Sequence, residues 1–189
     1  MLTFKQHISP EIWEACKKGD KFSYAIIYRV YFPKLYNYGK KFTDNVEQIE
    51  DCIQDIFTNF WFNRQKLLHV KEIQTYLFIS FRNNLLKILS RTKNHSSIDT
   101  SSEMYGFKTD LSIDHIMIST EEMYEQRINF ENVIKKLTPR QREAIFFKFY
   151  ENMSYENISI ILGITTKGAY KLIARAITEL RSAYKEKMV

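Results

Sequence analysis

Glycine and proline are scarce in this chain, at 5 and 3 of 189 residues. A turn-rich all-sheet protein needs both at its many corners, so helices are favoured. Cysteine is scarcer still. Cys16 and Cys52 show no zinc-like spacing, and both are expected to be reduced core residues of a cytoplasmic protein. The four histidines are scattered, and the carboxylates Asp51 and Asp55 have no His, Lys or metal-ligand pattern beside them. Neither a metal nor a cofactor is expected, and no catalysis. No stretch reaches about 18 consecutive apolar residues, and no basic segment followed by an apolar run opens the chain. The expectation is a soluble protein, neither exported nor membrane-spanning.

What is present is a globular composition, 44% hydrophobic, and a net charge of +6 that is unevenly placed. At this length the chain makes one large domain or two small ones. Residues 1–63 hold 8 basic and 8 acidic groups; residues 64–94 hold 7 and 1. Residues 95–136 are acidic, with 4 basic and 8 acidic groups, and residues 137–189 are basic again, with 9 and 5. Two basic blocks around an acidic one imply two contacts with a polyanion and a connector that avoids it.

The most ordered pattern runs from Leu137 to Arg181. Thr138 is an N-cap with Pro139 at the first helical position and Gln141 three after the cap, opening a helix that extends to about Tyr150. Ser154 caps the next helix, with Met153 and Ile158 placed as a hydrophobic staple. That helix turns Ile158, Ile161 and Leu162 inward and stops at Gly163, the φ > 0 corner of a tight turn. Thr165 caps a third helix, whose Ala169, Leu172, Ile173, Ala176, Ile177 and Leu180 form one apolar stripe. Left outside are Thr165, Thr166, Lys167, Tyr170, Lys171 and Arg175. They are hydrogen-bonding, cationic or aromatic, as a helix entering a major groove requires. A plain three-helix unit with a solvated basic face would share the stripe. The short helix, the glycine turn and the basic N-terminal half together favour DNA binding by a helix-turn-helix.

Leu137 to Glu143 (LTPRQRE), Met153 to Ile158 (MSYENI) and Leu162 to Ile164 (LGI) resemble the promoter-binding C-terminal domain of bacterial sigma factors. The likeness is greatest to the extracytoplasmic-function group. The chain departs at Gly168 and Tyr170, where that family more often has a small hydroxyl residue and a lysine.

Taken from the start, Ser9-Pro10 caps a short helix that ends at Gly19, and Asp20 caps another, FSYAIIYRVYF. Pro33 is expected to interrupt it before KLYNYGKKF resumes, with the aromatics in the core. Asp44 and Glu47 read as a capping box for a helix to about Phe62. Val46, Ile49, Ile53, Ile56, Phe57, Phe60 and Trp61 fill one face, and Asp51, Gln54, Asp55 and Thr58 share the other. Asn63 to Val70 reads as a basic loop. A long helix follows from Lys71 to about Arg91, with Ile73, Leu77, Phe81, Leu85 and Ile88 inward. Arg82, Asn83, Lys87 and Arg91 are expected outside, near Tyr76 and Phe78. Cations among aromatics suit a single strand, the cations tracking phosphates while rings stack on unpaired bases. Residues 95–118 read as a flexible acidic linker. Ser119 with Glu122 then opens a helix carrying Met123, Arg127, Phe130, Ile134 and Leu137 along one side.

Two further stretches resemble the same family. Asp51 to Phe57 (DCIQDIF) is similar to the helix that docks on the coiled coil of the polymerase β′ subunit, which implies core binding at Asp51, Gln54 and Asp55. Thr75 to Arg91 (TYLFISFRNNLLKILSR) is similar to the helix that reads and opens the −10 element. The resemblance implies an all-α protein of two small helical domains, 1–94 and 119–189, joined by the linker. Its partners would be RNA polymerase core and promoter DNA, with an anti-sigma factor left open. Two other readings stay open: a helix-turn-helix regulator that never joins polymerase, and a DNA recombinase. The second needs a nucleophilic Ser or Tyr near clustered arginines, and residues 1–94 offer only Arg29, Arg64, Arg82 and Arg91.

Overall fold

The computed structural model describes residues 8–92, 106–108 and 132–185. Among the described residues every regular element is helical, as expected. The chain divides into two compact units, 1–95 and 96–189.

Among the described residues of the first unit four α-helices follow in order: α1 (Pro10–Lys17), α2 (Lys21–Gly39), α3 (Val46–Phe62) and α4 (Ile73–Thr92). Local side chains set the first two starts. Ser9 Oγ accepts from the Ile12 N–H at 3.5 Å, and Asp20 Oδ2 accepts from the Ser23 N–H at 2.8 Å. A hydrogen bond from the Ser23 side chain, and then that backbone one, hold the Asp20 carboxyl below its ordinary range. The third start lies one residue from expectation. Asn45, not Asp44, is the cap, accepting from the Gln48 N–H at 3.0 Å, and Val46 at the first helical position is exposed. Asp and Asn cap about equally well, so spacing alone does not choose between neighbours.

Pro33 does not interrupt α2, which runs unbroken past it. A mid-helix proline costs about 3 kcal/mol in a lost hydrogen bond and a clash. Here Pro33 and Arg29, one turn earlier, are both exposed, so the lost hydrogen bond lies on the solvent side of the helix. The buried side chains on either side, Ile27, Tyr31, Leu35 and Tyr38, hold the helix together. Its far end approaches its neighbours so closely that only glycine fits. A Cβ on Gly39 would stand 2.9 Å from both Ile49 Cγ2 and Phe81 Cζ.

α4 packs against both α2 and α3, which widens its buried stripe beyond the one expected. Ile73, Leu77, Phe81 and Leu85 are inside, joined by Phe78, Leu86 and Leu89. The basic loop contains a 3-10 turn, Arg64–Leu67, anchored from α1. The Trp13 indole N–H donates to the Val70 carbonyl at 2.9 Å, and Lys17 Nζ donates to Leu68 O at 3.4 Å. The Arg64 guanidinium lies 4.5 Å from the centre of the Trp61 ring and donates to the Trp61 carbonyl at 2.7 Å. Trp61 is therefore half-buried rather than part of the core.

The second unit contains α5 (Pro139–Ile145), a π-helical segment (Phe146–Tyr150), α6 (Tyr155–Leu162) and α7 (Thr166–Lys185). The Thr138 capping box is complete: its hydroxyl accepts from the Gln141 N–H at 3.2 Å, and Gln141 Oε1 accepts from the Thr138 N–H at 2.8 Å. Such a cap is worth about 1 kcal/mol. The helix expected to reach Tyr150 widens after Ile145, with the Glu151 N–H bonded back to Phe146 O at 3.1 Å. The widening buries the adjacent rings Phe146 and Phe147 together. Of the stretch read as a linker only 106–108 is described, and there Phe107 is fully buried with its ring 5.9 Å from Phe146. Of the helix read from Ser119, Met123, Arg127 and Phe130 lie outside the described residues; Ile134 and Leu137 are buried as expected.

Candidate nucleic-acid interface

α6 and α7 form the helix-turn-helix, and each boundary has a local cause. Ser154 Oγ accepts from the Asn157 N–H at 3.2 Å to start α6. Gly163 ends it in the left-handed region at φ 62° and ψ 41°, where a Cβ would be strained. Arg140 reaches across from α5 to donate to the Leu162 carbonyl at 3.1 Å, a cation at the negative end of α6. Thr165 Oγ1 accepts from the Gly168 N–H at 3.0 Å and starts α7.

α7 turns Ala169, Ile173 and Ala176 into the core, with Leu172, Ile177 and Leu180 half-buried at its edges. On the opposite side Thr165, Lys167, Tyr170, Lys171 and Arg175 are exposed, and Thr166 is half-buried with its hydroxyl 3.4 Å from that of Ser159. Lys167, Lys171 and Arg175 stand four residues apart, one row with about 6 Å of rise between members. All six residues expected on the outer side of this helix therefore lie together on or beside one basic face. Missed by spacing was Tyr155, the first residue of α6, whose ring stacks on Tyr170 with centroids 3.7 Å apart. No sequence signal marks a contact that depends on how the Gly163 turn brings two helices together.

In the first unit the expected strand-binding group divides. Asn83, Lys87 and Arg91 are exposed at four-residue spacing along α4, and Tyr76 is half-buried with its ring 6.4 Å from Phe60. Phe78 and Arg82 are not on the surface. Phe78 is 0% exposed, edge-on to Tyr38 at 5.4 Å, and Arg82 is 7% exposed. A helix flanked on two sides buries residues outside a single-sided stripe, which is why both were misplaced. Asp51, Gln54 and Asp55 are exposed along α3, opposite its buried Ile49, Ile53, Ile56, Phe57 and Phe60.

Both thiols are free and buried. Burial, with Asp20 nearby, pushes Cys16 up to about 11, and burial, with Asp55 nearby, pushes Cys52 up to about 12. Neither offers a thiolate at neutral pH. Among the described residues no group of three or more His, Cys, Asp or Glu side chains is placed to hold a metal, and no helix is long and apolar enough to cross a membrane.

Residues 127–180 match the family described as Sigma-70, region 4, the family whose C-terminal domain LTPRQRE and MSYENI resemble. Among solved structures the chain is similar to CnrH, determined in complex with the cytosolic domain of CnrY. The TM-score is 0.59 at 14% identity, over 95% of this chain and 99% of that one. It is also similar to the sigma factor RpoE in its co-crystal structure with the anti-sigma factor NepR from Bartonella quintana. There the TM-score is 0.53 at 19% identity, over 86% of this chain and 96% of that one. At those identities the likeness establishes an all-helical fold shared along most of the chain. No curated protein sequence matches it.

Proposed function

We propose that this chain is a sigma factor of the extracytoplasmic-function group, which joins core RNA polymerase, directs it to particular promoters and performs no catalysis of its own. The observation that carries this reading is a region 4 helix-turn-helix with a basic outer face, set in a chain whose fold is shared with the sigma factor RpoE. The domains divide the work. Residues 119–189 bind the −35 element as duplex through α7, and residues 1–94 bind core enzyme and the −10 element. Residues 95–118 connect them. On α3, Asp51, Gln54 and Asp55 form the polar face for the β′ coiled coil. On α4, Asn83, Lys87 and Arg91 track the phosphates of melted strand, with Tyr76 as the stacking ring. An anti-sigma factor is a further partner in this reading, as NepR is for RpoE.

Reconstitution with core polymerase tests it. The chain should co-purify with core enzyme and produce specific transcription starts on genomic fragments. An Asp51→Lys/Asp55→Lys double variant should lose core association with its helix content unchanged. A chain that binds DNA but neither joins core enzyme nor changes its start sites would instead be a free-standing regulator.

A further inference from the structure

Tyr170 is held in a way that the other residues of the α7 face are not. Its ring lies on that of Tyr155, centroids 3.7 Å apart and planes within 18°. Lys148 Nζ sits 4.5 Å from the centre of the same Tyr155 ring. Tyr170 covers one face of Tyr155, so the ammonium occupies the other. Lys148 is itself tied down, donating to the Met153 carbonyl at 3.2 Å. Three groups from three elements, the π-helical segment, the first turn of α6 and the outer side of α7, thus stack in series. At the end of the series Tyr170 remains 50% exposed. It is the fifth residue of α7, one turn beyond Lys167 and beside Lys171.

An exposed tyrosine on a helix ordinarily loses rotamer freedom when it binds. This ring has lost it already. A ring pinned flat against its neighbour cannot swing to follow hydrogen-bonding groups on base edges; it offers a rigid apolar rim. On the floor of the major groove the apolar feature is the C5 methyl group of thymine. We propose that Tyr170 is a specificity-determining residue that packs its exposed ring against a thymine methyl in the upstream element, and that Tyr155 is the positioning residue that holds it there. The inference rests on the promoter-binding reading above.

The test uses holoenzyme assembled from core polymerase and the full chain, on promoter duplexes recovered from genomic fragments. Each upstream thymine is replaced in turn by deoxyuridine, which removes only the methyl group. Wild type should lose about fourfold in affinity at one position, the worth of one buried methyl. Tyr170→Phe should keep that discrimination, and Tyr170→Ala should bind both duplexes alike. Tyr155→Ala should lose most of the discrimination, Tyr155→Phe should retain it, and Tyr155→Ala should add nothing in a Tyr170→Ala background. That last comparison separates positioning from a general weakening of the fold. The proposal is overturned if no upstream thymine responds to loss of its methyl, or if discrimination survives Tyr170→Ala. It is equally overturned if Tyr170→Phe weakens every duplex alike with methyl dependence absent, since the hydroxyl would then be serving a phosphate. Wild-type holoenzyme with no upstream sequence preference would instead defeat the promoter reading itself, and this inference with it.

Discussion

Gly39→Ala is the sharpest single perturbation of the first unit, because two opposing effects meet at one methyl group. At the last position of α2, alanine gains about 0.5 kcal/mol over glycine in helix propensity, less than the full interior value of about 1. Against that, the new Cβ would stand 2.9 Å from Ile49 Cγ2 and from Phe81 Cζ, and 3.2 Å from Ile49 Cγ1. Ile49 and Phe81 are both completely buried, so neither can swing aside. Overpacking of this kind costs about 1–3 kcal/mol. The clash wins, and the net loss should be about 0.5–2.5 kcal/mol. Hydrogen exchange read on peptides from α2, α3 and α4 would register it as faster opening there, with α5–α7 unchanged. Phe81→Leu removes the Cζ atom that collides, so the double variant should be less destabilised than the two single losses summed. Gly39→Ala with slower exchange than wild type would refute the reasoning and show that α2 can lift away from its neighbours at little cost.

Phe78→Ala should cost about 3–5 kcal/mol in chemical denaturation, as expected for a fully buried ring. Tyr76→Ala should leave the fold nearly intact and impair promoter opening, read by permanganate reactivity of unpaired thymines and rescued on a pre-melted template. Lys171→Ala and Arg175→Ala should each weaken binding to all upstream sequences alike and reduce the salt slope by about 1. Lys167→Ala should change sequence preference, at about 1–3 kcal/mol for the affected base pair. Cys16 and Cys52, pushed up to about 11 and 12, should resist alkylation at pH 8 until the first unit unfolds. The unfolded thiols ionise above about pH 8.5 while the folded ones keep their protons. The first unit should therefore lose stability as pH rises through that range, measured as a falling denaturation midpoint.

Helix starts other than that of α3 were legible because their causes are local. Ser9, Asp20, Thr138, Ser154 and Thr165 each accept a hydrogen bond from an N–H three residues on. The left-handed corner at Gly163 was legible for the same reason. Failures came where a residue's surroundings are set by elements distant in sequence. Phe78 is buried by Tyr38, forty positions earlier, and Tyr155 meets Tyr170 only once Gly163 has folded α6 back on α7. Phe107 sits in a stretch with no periodicity, so nothing near it announced that its ring would lie on Phe146. The outer face of α7 was readable from spacing since its buried residues keep to one narrow stripe; those of α4 spread beyond one, and it misled.

The tryptophans give the molecule a built-in optical address. Both of them, Trp13 and Trp61, belong to the first unit, while the second has only tyrosine and phenylalanine. Selective excitation of indole therefore reports on one half alone. The two emitters also differ in setting: Trp13 is buried with its N–H bonded to Val70, and Trp61 is half-exposed beneath the Arg64 guanidinium. Trp13 should emit at the blue end and resist aqueous quenchers, and Trp61 should emit further to the red and be quenched. A partner that covers the end of α3 would dim or shift the red component and leave the blue one untouched. Occupancy at that end of the first unit can thus be followed without attaching a label.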